Sequence, residues 1–216
     1  GDLVAGCCEW GNCHNLHLHS QACDPVSTEV SSIVSPNDGG LTTMIAAEVQ
    51  GAGADCSEYT VPTADVTVNT IGDLQTEAAA ATPKVIVVED GTYTGVVNVM
   101  NGHTIVAQSH LGATITGGFH IQSDDVTIKG FHIMVNDAIG GGQDKGIYLP
   151  GASGVTIECN KFEEVAGANS PRGIVTVMNA DYSDIIIKNN DFQAGLSTGM
   201  YTNPHTGLLT IMNNDF

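Results

Sequence analysis

The chain has 216 residues, of which 42% are hydrophobic, and its formal net charge is −18 at pH 7. This length suffices for one substantial core, and 26 glycines with few aromatic residues suit a β protein that is rich in turns. Residues 1–83 contain neither lysine nor arginine. The charge argues against nucleic acid and anionic membrane surfaces as partners, because both need a cationic protein patch. No apolar run approaches the ~20 residues that cross a bilayer, so we expect no membrane span.

Residues 1–65 form the first predicted region, a Cys/His-rich N-terminal extension followed by a loosely ordered lead-in. Four of the six cysteines and three of the eight histidines lie in residues 1–24. Such cysteine usage favours an oxidising compartment, so we expect a secreted, extracellular or cell-surface protein, with the periplasm as the alternative. The chain begins at Gly1 rather than Met, which we interpret as processing or trimming.

Three alternatives account for the cysteine and histidine segment. In the first, disulfides pin it; their five candidates are Cys7, Cys8, Cys13, Cys23 and Cys56, so one is free or pairs with another molecule. In the second, Cys8, Cys13 and His14 resemble a c-type haem attachment motif, with two thioethers and a histidine on the iron. In the third, zinc or copper is bound by a set drawn from Cys7, Cys8, Cys13, His14, His17, His19 and Cys23.

Residues 66–216 form the second predicted region, which starts with a strand at Val66. A helix is predicted at about residues 73–81, with the acidic Asp73 near its N-terminus and Pro83 after its end. A helix here would cover the backbone edge of the first turn of a solenoid. The apolar run Val85–Val88 predicts the next strand, and an Asp-Gly turn follows it.

One sequence pattern then occurs four times, starting at Val126, Val155, Ile185 and Leu209, at spacings of about 24 to 30 residues. This is a solenoid period. Each copy opens with alternating apolar and polar residues, which is typical of a half-buried strand. We therefore predict that each copy is one turn of a stack of parallel strands.

Alignment of the four copies assigns each position to a column of the stack. The first and third residues point inward, and the fourth forms an outer column of Lys129, Glu158, Lys188 and Met212, whose alternating charges suit neighbouring strands. A further column, Asn160, Asn190 and Asn214, is predicted to form a ladder of hydrogen-bonded amides. Another, Phe162, Phe192 and Phe216, is predicted to form an internal aromatic stack. Cys159 precedes the ladder in the second copy, where we expect a lone buried thiol.

The order of these elements resembles a known superfamily. The helix, Pro83, the Val85–Val88 strand, Asp90-Gly-Thr-Tyr93 and the first repeat resemble the cap and first turns of pectin-lyase-like right-handed parallel β-helices. That superfamily includes polysaccharide lyases, alginate epimerases and NosD-type proteins. Over residues 66–216 the expected fold is therefore all-β, a right-handed parallel β-helix with a short capping helix, although this fold does not specify an activity.

The resemblance also implies which residues to test for catalysis. Lyases of this superfamily abstract a proton beside a uronate carboxylate with Arg or Lys, often near calcium. Among the cations, Arg172 and Lys145 at loop-to-strand junctions remain once the ladder and turn lysines are set aside. His205, in a segment similar to an alginate-epimerase motif, is the second catalytic candidate beside Arg172. The net charge of −18 repels a polyuronate, so we lean towards a protein that is not an enzyme.

Calcium is the remaining cofactor that the loops suggest. The candidate ligands are acidic residues that cluster between strands, since hard oxygen ligands suit this ion: Asp124, Asp125, Asp137 and Asp144. No EF-hand or RTX-type repeat accompanies them.

The last repeat ends at Phe216 with no cap after it, from which we expect either that the chain is cut inside a longer solenoid or that another molecule covers the end. If another molecule covers the end, the contact is head to tail, and the first functional hypothesis is an extracellular structural β-helix subunit that assembles with itself into a filament, with the N-terminal segment cross-linking or binding metal or haem. The alternatives are a carbohydrate-active β-helix that binds a glycan, like a polysaccharide lyase or epimerase, and a c-type haem electron carrier.

Overall fold

The structure, a computed structural model, describes residues 54–136, 142–176, 184–202 and 208–216 and the backbone of the strand Leu16–Leu18. In these residues the elements follow the order β1 Leu16–Leu18, β2 Val66–Val68, α1 Ile71–Ala78, β3 Val85–Val88, β4 Gly91–Val99, β5 Thr104–Ala107, β6 Ala113–Ile121, β7 Thr127–Lys129, β8 His132–Val135, β9 Lys145–Leu149, β10 Thr156–Glu158, β11 Lys161–Glu164, β12 Arg172–Thr176, β13 Ile185–Lys188, β14 Asp191–Phe192, β15 Thr198–Thr202 and β16 Leu209–Met212.

The strands form two sheets, in which all described neighbours are parallel except β1 and β15. A seven-stranded sheet has the order β16-β13-β10-β7-β5-β3-β2, and a nine-stranded sheet has the order β1-β15-β12-β9-β6-β8-β11-β14, with β4 beside β6. From β7 onward the chain adds one strand to the seven-stranded sheet and then two to the nine-stranded sheet, and repeats this order. The protein is therefore mostly β with parallel strand columns, which is compatible with the predicted solenoid.

The predicted inward columns form the core. The fully buried side chains include Val126, Val155 and Ile185 and, two residues after each of them, Ile128, Ile157 and Ile187. The register pairs Ile157 with Ile128 on one side and with Ile187 on the other, so equivalent side chains pack on each other from strand to strand. The sequence alignment predicted this register.

The asparagine column is a continuous hydrogen-bonded ladder. The backbone N–H of Asn160 donates to Asn190 Oδ1 at 3.0 Å, and that of Asn190 donates to Asn214 Oδ1 at 3.0 Å. The side-chain amide of Asn190 donates in turn to the carbonyl of Ile157 at 3.0 Å. Asn160 and Asn190 are buried, so the ladder supplies partners for main-chain groups that water cannot reach.

The phenylalanine column is a face-to-face stack whose spacing follows the strands. Ring centroids of Phe162 and Phe192 are 4.8 Å apart, and those of Phe192 and Phe216 are 4.9 Å apart. Each ring lies against a column of glycines: a Cβ at Gly173 would lie 2.7 Å from the Phe192 ring and 2.5 Å from the carbonyl oxygen of Gly199. Glycine is needed in this column because the next strand and the ring occupy the space of a side chain.

Helix α1 lies beside β4, where the sequence predicted a cap, but its ends differ from the predicted residues 73–81. It spans Ile71–Ala78 because the Thr70 hydroxyl accepts from the Asp73 N–H at 3.1 Å and so caps the helix earlier. The side-chain amide of Gln75 donates to the carbonyl of Val96 in β4 at 2.9 Å. The N–H of Met100 donates to the carbonyl of Ala78 at 3.0 Å. The helix therefore satisfies main-chain groups at the outer strand of the sheet.

The predicted lone thiol at Cys159 is wrong. Cys159 forms a disulfide with Cys56, across a sequence separation of 103 residues. In the part of the lead-in that the structure describes, Tyr59 contacts the strands: its hydroxyl donates to the carbonyl of Ala107 at 2.5 Å, and its ring lies over Gly130. Column alignment had shown where Cys159 lies in its turn, but not which segment covers that bend.

Replacement of Gly173 by alanine should destabilise the protein by about 1–3 kcal/mol, because the new methyl group must displace a ring and a main-chain carbonyl. Urea unfolding at neutral pH measures this. Gly72→Ala is the matched control: its Cβ meets only Thr70 Oγ1 at 3.9 Å, and alanine is the better helix former, so stability should hold or rise. Equal stability of Gly173→Ala and the wild type would contradict the close packing of this column.

The Cys56→Ser/Cys159→Ser double variant should lose about 2–5 kcal/mol of unfolding free energy, because a cross-link over a long loop restricts the unfolded chain. Chemical denaturation of the double variant and the wild type provides the comparison. Mass spectrometry of a non-reduced digest should show the two cysteine peptides joined; separate peptides would refute the pairing.

Candidate functional site

Two of the lysines are held in the outer charged column, as the sequence predicted. Lys129 Nζ lies 3.0 Å from Glu158 Oε1, and Lys188 Nζ lies 2.8 Å from Glu158 Oε2. Burial disfavours the ionised carboxylate of Glu158, but hydrogen bonds from Lys188 and Lys129 outweigh it and lower its pKa. These cations serve the stack, and so does Lys161, which lies 3.1 Å from Glu163.

The other two candidate cations lie side by side on the nine-stranded sheet. Lys145 begins β9 and Arg172 begins β12, and the parallel register pairs them directly. Neighbouring strands are about 4.8 Å apart, so the register aligns two positive side chains with no acidic residue between them in the column. Like charges opposite each other destabilise a sheet, which makes this pair the exception to the alternating column of Lys129 and Glu158.

An aromatic row flanks the two cations. In β6, β9, β12 and β15 the register aligns His120, Tyr148, Val175 and Tyr201. The rings of His120 and Tyr148 are 5.1 Å apart. Lys145 Nζ lies 5.1 Å from the centroid of the Tyr148 ring, and Arg172 Cζ lies 4.6 Å from that of Tyr201. We call His120, Lys145, Tyr148, Arg172 and Tyr201 the cation–tyrosine patch.

Polar groups extend the patch towards β4. Asn98 lies next to His120 in the register, and Gln122 Nε2 donates to Asn98 Oδ1 at 3.2 Å and lies 3.2 Å from His120 Nδ1. Asn98 and Gln122 are exposed, while His120, Tyr148, Arg172 and Tyr201 are partly exposed. Lys145 is buried, and its Nζ donates to the carbonyl of Gln143 at 2.9 Å. The aromatic row and Arg172 are thus the parts of the patch that solvent reaches.

The electrostatics of the patch are unusual. Burial lowers the pKa of Lys145, the charge of Arg172 lowers it further, and Asp144 acts in the opposite direction. Burial, followed by the nearby Lys145 charge, also lowers the pKa of His120. Arg172 Nε is buried and has no hydrogen-bond partner among the described residues. Perturbed cations in one cluster are typical of functional sites, because stability alone would not select them.

This arrangement suits a ligand that combines negative charge with apolar faces. The two cations can bind carboxylates or sulfates, with Arg172 offering several donors in a fixed plane. The tyrosine rings can pack against the C–H face of a sugar ring. An acidic sugar has both properties.

In the described part of the chain, the calcium candidates Asp124 and Asp144 accept hydrogen bonds from main-chain N–H groups of neighbouring loops. Asp124 Oδ1 accepts from the Ser153 N–H at 2.7 Å, and Asp144 Oδ2 accepts from the Asn169 N–H at 2.7 Å. Asp125 sits at the same bend with φ of 59°. Among the described residues no three His, Cys, Asp or Glu side chains gather as a metal site would require. Asp137 lies outside the described residues.

Most candidates of the N-terminal segment lie outside the described residues, namely Cys7, Cys8, Cys13, His14, His19 and Cys23. The catalytic candidate His205 also lies outside them. His17 belongs to β1, and the backbone register places it opposite Tyr201. The Cys56–Cys159 bond removes Cys56 from the N-terminal set. The haem, metal and disulfide alternatives there stay predictions for the remaining four cysteines.

Comparison with protein-family models, curated proteins and solved structures finds no match for this chain. No helix in the described ranges is long and apolar enough to cross a membrane.

Sequence reasoning selected Lys145 and Arg172 but missed the tyrosine and histidine row. The signal was present in the three strands that begin Lys145-Gly-Ile-Tyr148, Arg172-Gly-Ile-Val175 and Thr198-Gly-Met-Tyr201. Alignment on their glycines places the cations in one column and the two tyrosines in another. His120 carries no such signal, because β6 is longer and precedes the repeats.

Proposed function

We propose that the chain is an extracellular right-handed parallel β-helix, of the pectin-lyase-like type, that binds an acidic polysaccharide on the outer face of its nine-stranded sheet. The observation that carries this proposal is the direct pairing of Lys145 with Arg172 beside Tyr148 and Tyr201. Its location outside the cell is supported by the disulfide, since such bonds persist in oxidising compartments.

A polymer is the ligand that fits a site spread over several strands. Tyr148 and Tyr201 lie in one row two strands apart, and the two cations lie on adjacent strands. An extended acidic glycan lying across the strands would present its charged groups to Arg172 and its sugar faces to the two rings, while the buried Lys145 adds positive charge next to Arg172. A small monosaccharide would use only part of this row.

The net charge of −18 does not cancel this local attraction. Exposed charges more than about 8 Å away are largely screened at physiological ionic strength. A direct ion pair at about 5 Å is worth about 3 kcal/mol before screening, at an effective dielectric constant of about 20. The acidic surface should therefore slow the approach of a polyanion more than it weakens the bound state.

A polysaccharide-lyase or epimerase activity is the second form of the proposal. Its specific support is the lowered pKa of Lys145 beside Arg172, because a lowered pKa makes it easier for a lysine to lose its proton and then act as a base. Arg172 would then hold the carboxylate of the same sugar. The c-type haem carrier stays a prediction, since Cys8, Cys13 and His14 lie outside the described residues.

Isothermal titration with oligogalacturonate and oligoalginate, against a neutral oligosaccharide of equal length, tests the binding proposal. The wild type should prefer the acidic ligands, and Arg172→Ala or Lys145→Ala should weaken binding about tenfold or more, because each removes a charged hydrogen bond. Formation of an unsaturated product in the same mixtures would reveal lyase activity.

Lys188→Ala is the matched control for these variants. It also removes one cation, but from the seven-stranded sheet, so the affinity for acidic glycans should stay at the wild-type level. Failure of every acidic glycan to bind, or an equal loss in Lys188→Ala, would contradict the proposed site.

The affinity should fall with rising pH at a lower pH than that at which an ordinary lysine, with a pKa of 10.5, would lose its charge. The protonated amine is the form that attracts an anion, and the lowered pKa of Lys145 brings its deprotonation to lower pH. Titrations of the wild type and of Lys145→Arg at several pH values test this. Arginine stays charged, so its profile should be flat; identical profiles would exclude Lys145 as the titrating group.

A further inference from the structure

Strand β1 pairs antiparallel with β15, whereas the other strand pairs that the structure describes are parallel. Its register places Leu16 opposite Thr202 and Leu18 opposite Met200. Residues 19–53 connect it to the described lead-in. The outer edge of β15 thus receives a short strand from a distant part of the chain.

The outer strand at another border of the same sheet is closed to such an addition. Helix α1 packs beside β4, and Gln75 and Ala78 bond to main-chain groups of Val96 and Met100. Direct stacking of one copy on another through β4 would have to displace the helix. The β15 edge needs only an extended strand, which can add to a sheet edge through main-chain hydrogen bonds.

Charge also favours this edge as the place where the N-terminal segment docks. Residues 1–53 contain acidic residues but no lysine or arginine. The strand next to β15 is β12, which carries Arg172 over the Tyr201 ring. The Leu16–Leu18 strand, which belongs to a segment without lysine or arginine, therefore pairs with the strand next to Arg172.

We infer that the β15 edge is a docking surface for the Leu16–Leu18 strand of a second copy, so that the protein assembles by strand exchange. The strand contacts are the same within one chain and between two copies, and only the connection through residues 19–53 differs. The strand of the same chain competes for the edge at an effective concentration on the order of 1 mM at most, and this value falls as the linker lengthens. When the protein itself reaches a comparable concentration, the strand of a second copy can therefore replace it. This route supplies the self-association predicted from the sequence, and it does not depend on glycan binding.

Sedimentation and light scattering of the full chain, from about 1 µM to about 1 mM, test the inference over the range of the effective concentration. The mean mass should rise from the 22.4 kDa of a monomer to at least twice that value. The His17→Pro/Leu18→Pro variant should remain monomeric, because proline removes donors and disfavours a paired strand. Val30→Pro/Ser31→Pro places the same two prolines elsewhere in the N-terminal segment and should assemble like the wild type.

A mixing experiment separates exchange between copies from pairing within one chain. A labelled His17→Pro/Leu18→Pro variant retains its β15 edge, so excess wild type should recruit it into complexes through the wild-type strand. Urea unfolding checks that this variant is folded. Monomeric wild type at all concentrations, failure of recruitment, or complexes that an SDS gel shows to be disulfide-linked would overturn the inference.

Discussion

The spacing of hydrogen-bonded parallel strands is the constraint on which this structure depends. Equivalent side chains of successive turns must lie about 4.8 Å apart, so each column has to accept repetition at that distance. Flat rings meet the condition by stacking, as Phe162 and Phe192 do at 4.8 Å. Amides meet it with a donor and an acceptor on each residue, as Asn160 and Asn190 do. Charges meet it by alternation, as in Lys129, Glu158 and Lys188.

The same spacing explains why the cation–tyrosine patch stands out from the rest of the fold. The register that stabilises the alternating column also forces Lys145 and Arg172 together, and there the signs do not alternate. Burial lowers the pKa of Lys145, and the charge of Arg172 beside it lowers that pKa further. A local arrangement that disagrees with the rule followed elsewhere in the fold is expected at a functional position, where stability is given up for binding. This contrast supports a ligand site more strongly than the presence of two cations alone.

The Cys56–Cys159 bond is a contact that alignment of the repeats could not predict. Cys159 shares its left-handed bend with Asn189 and Asn213, so the alignment placed it correctly within its turn. Its partner lies in a segment that belongs to no repeat, 103 residues earlier. A periodic pattern specifies what each residue meets in the next turn, but it carries no information on a non-repeating segment that crosses several turns.

The sequence by itself determined the positions of the repeat strands, the inward and outward columns, the asparagine and phenylalanine stacks and the structural role of Lys129 and Lys188. It could do so because these depend on period and alternation, which are local properties of the chain. Only the tertiary structure decided the alignment of His120 with Tyr148, the pairing of Cys56, the contact of α1 with β4 and the edge that receives β1. Those contacts join residues of different turns or non-repeating segments, and the path of the folded chain sets them.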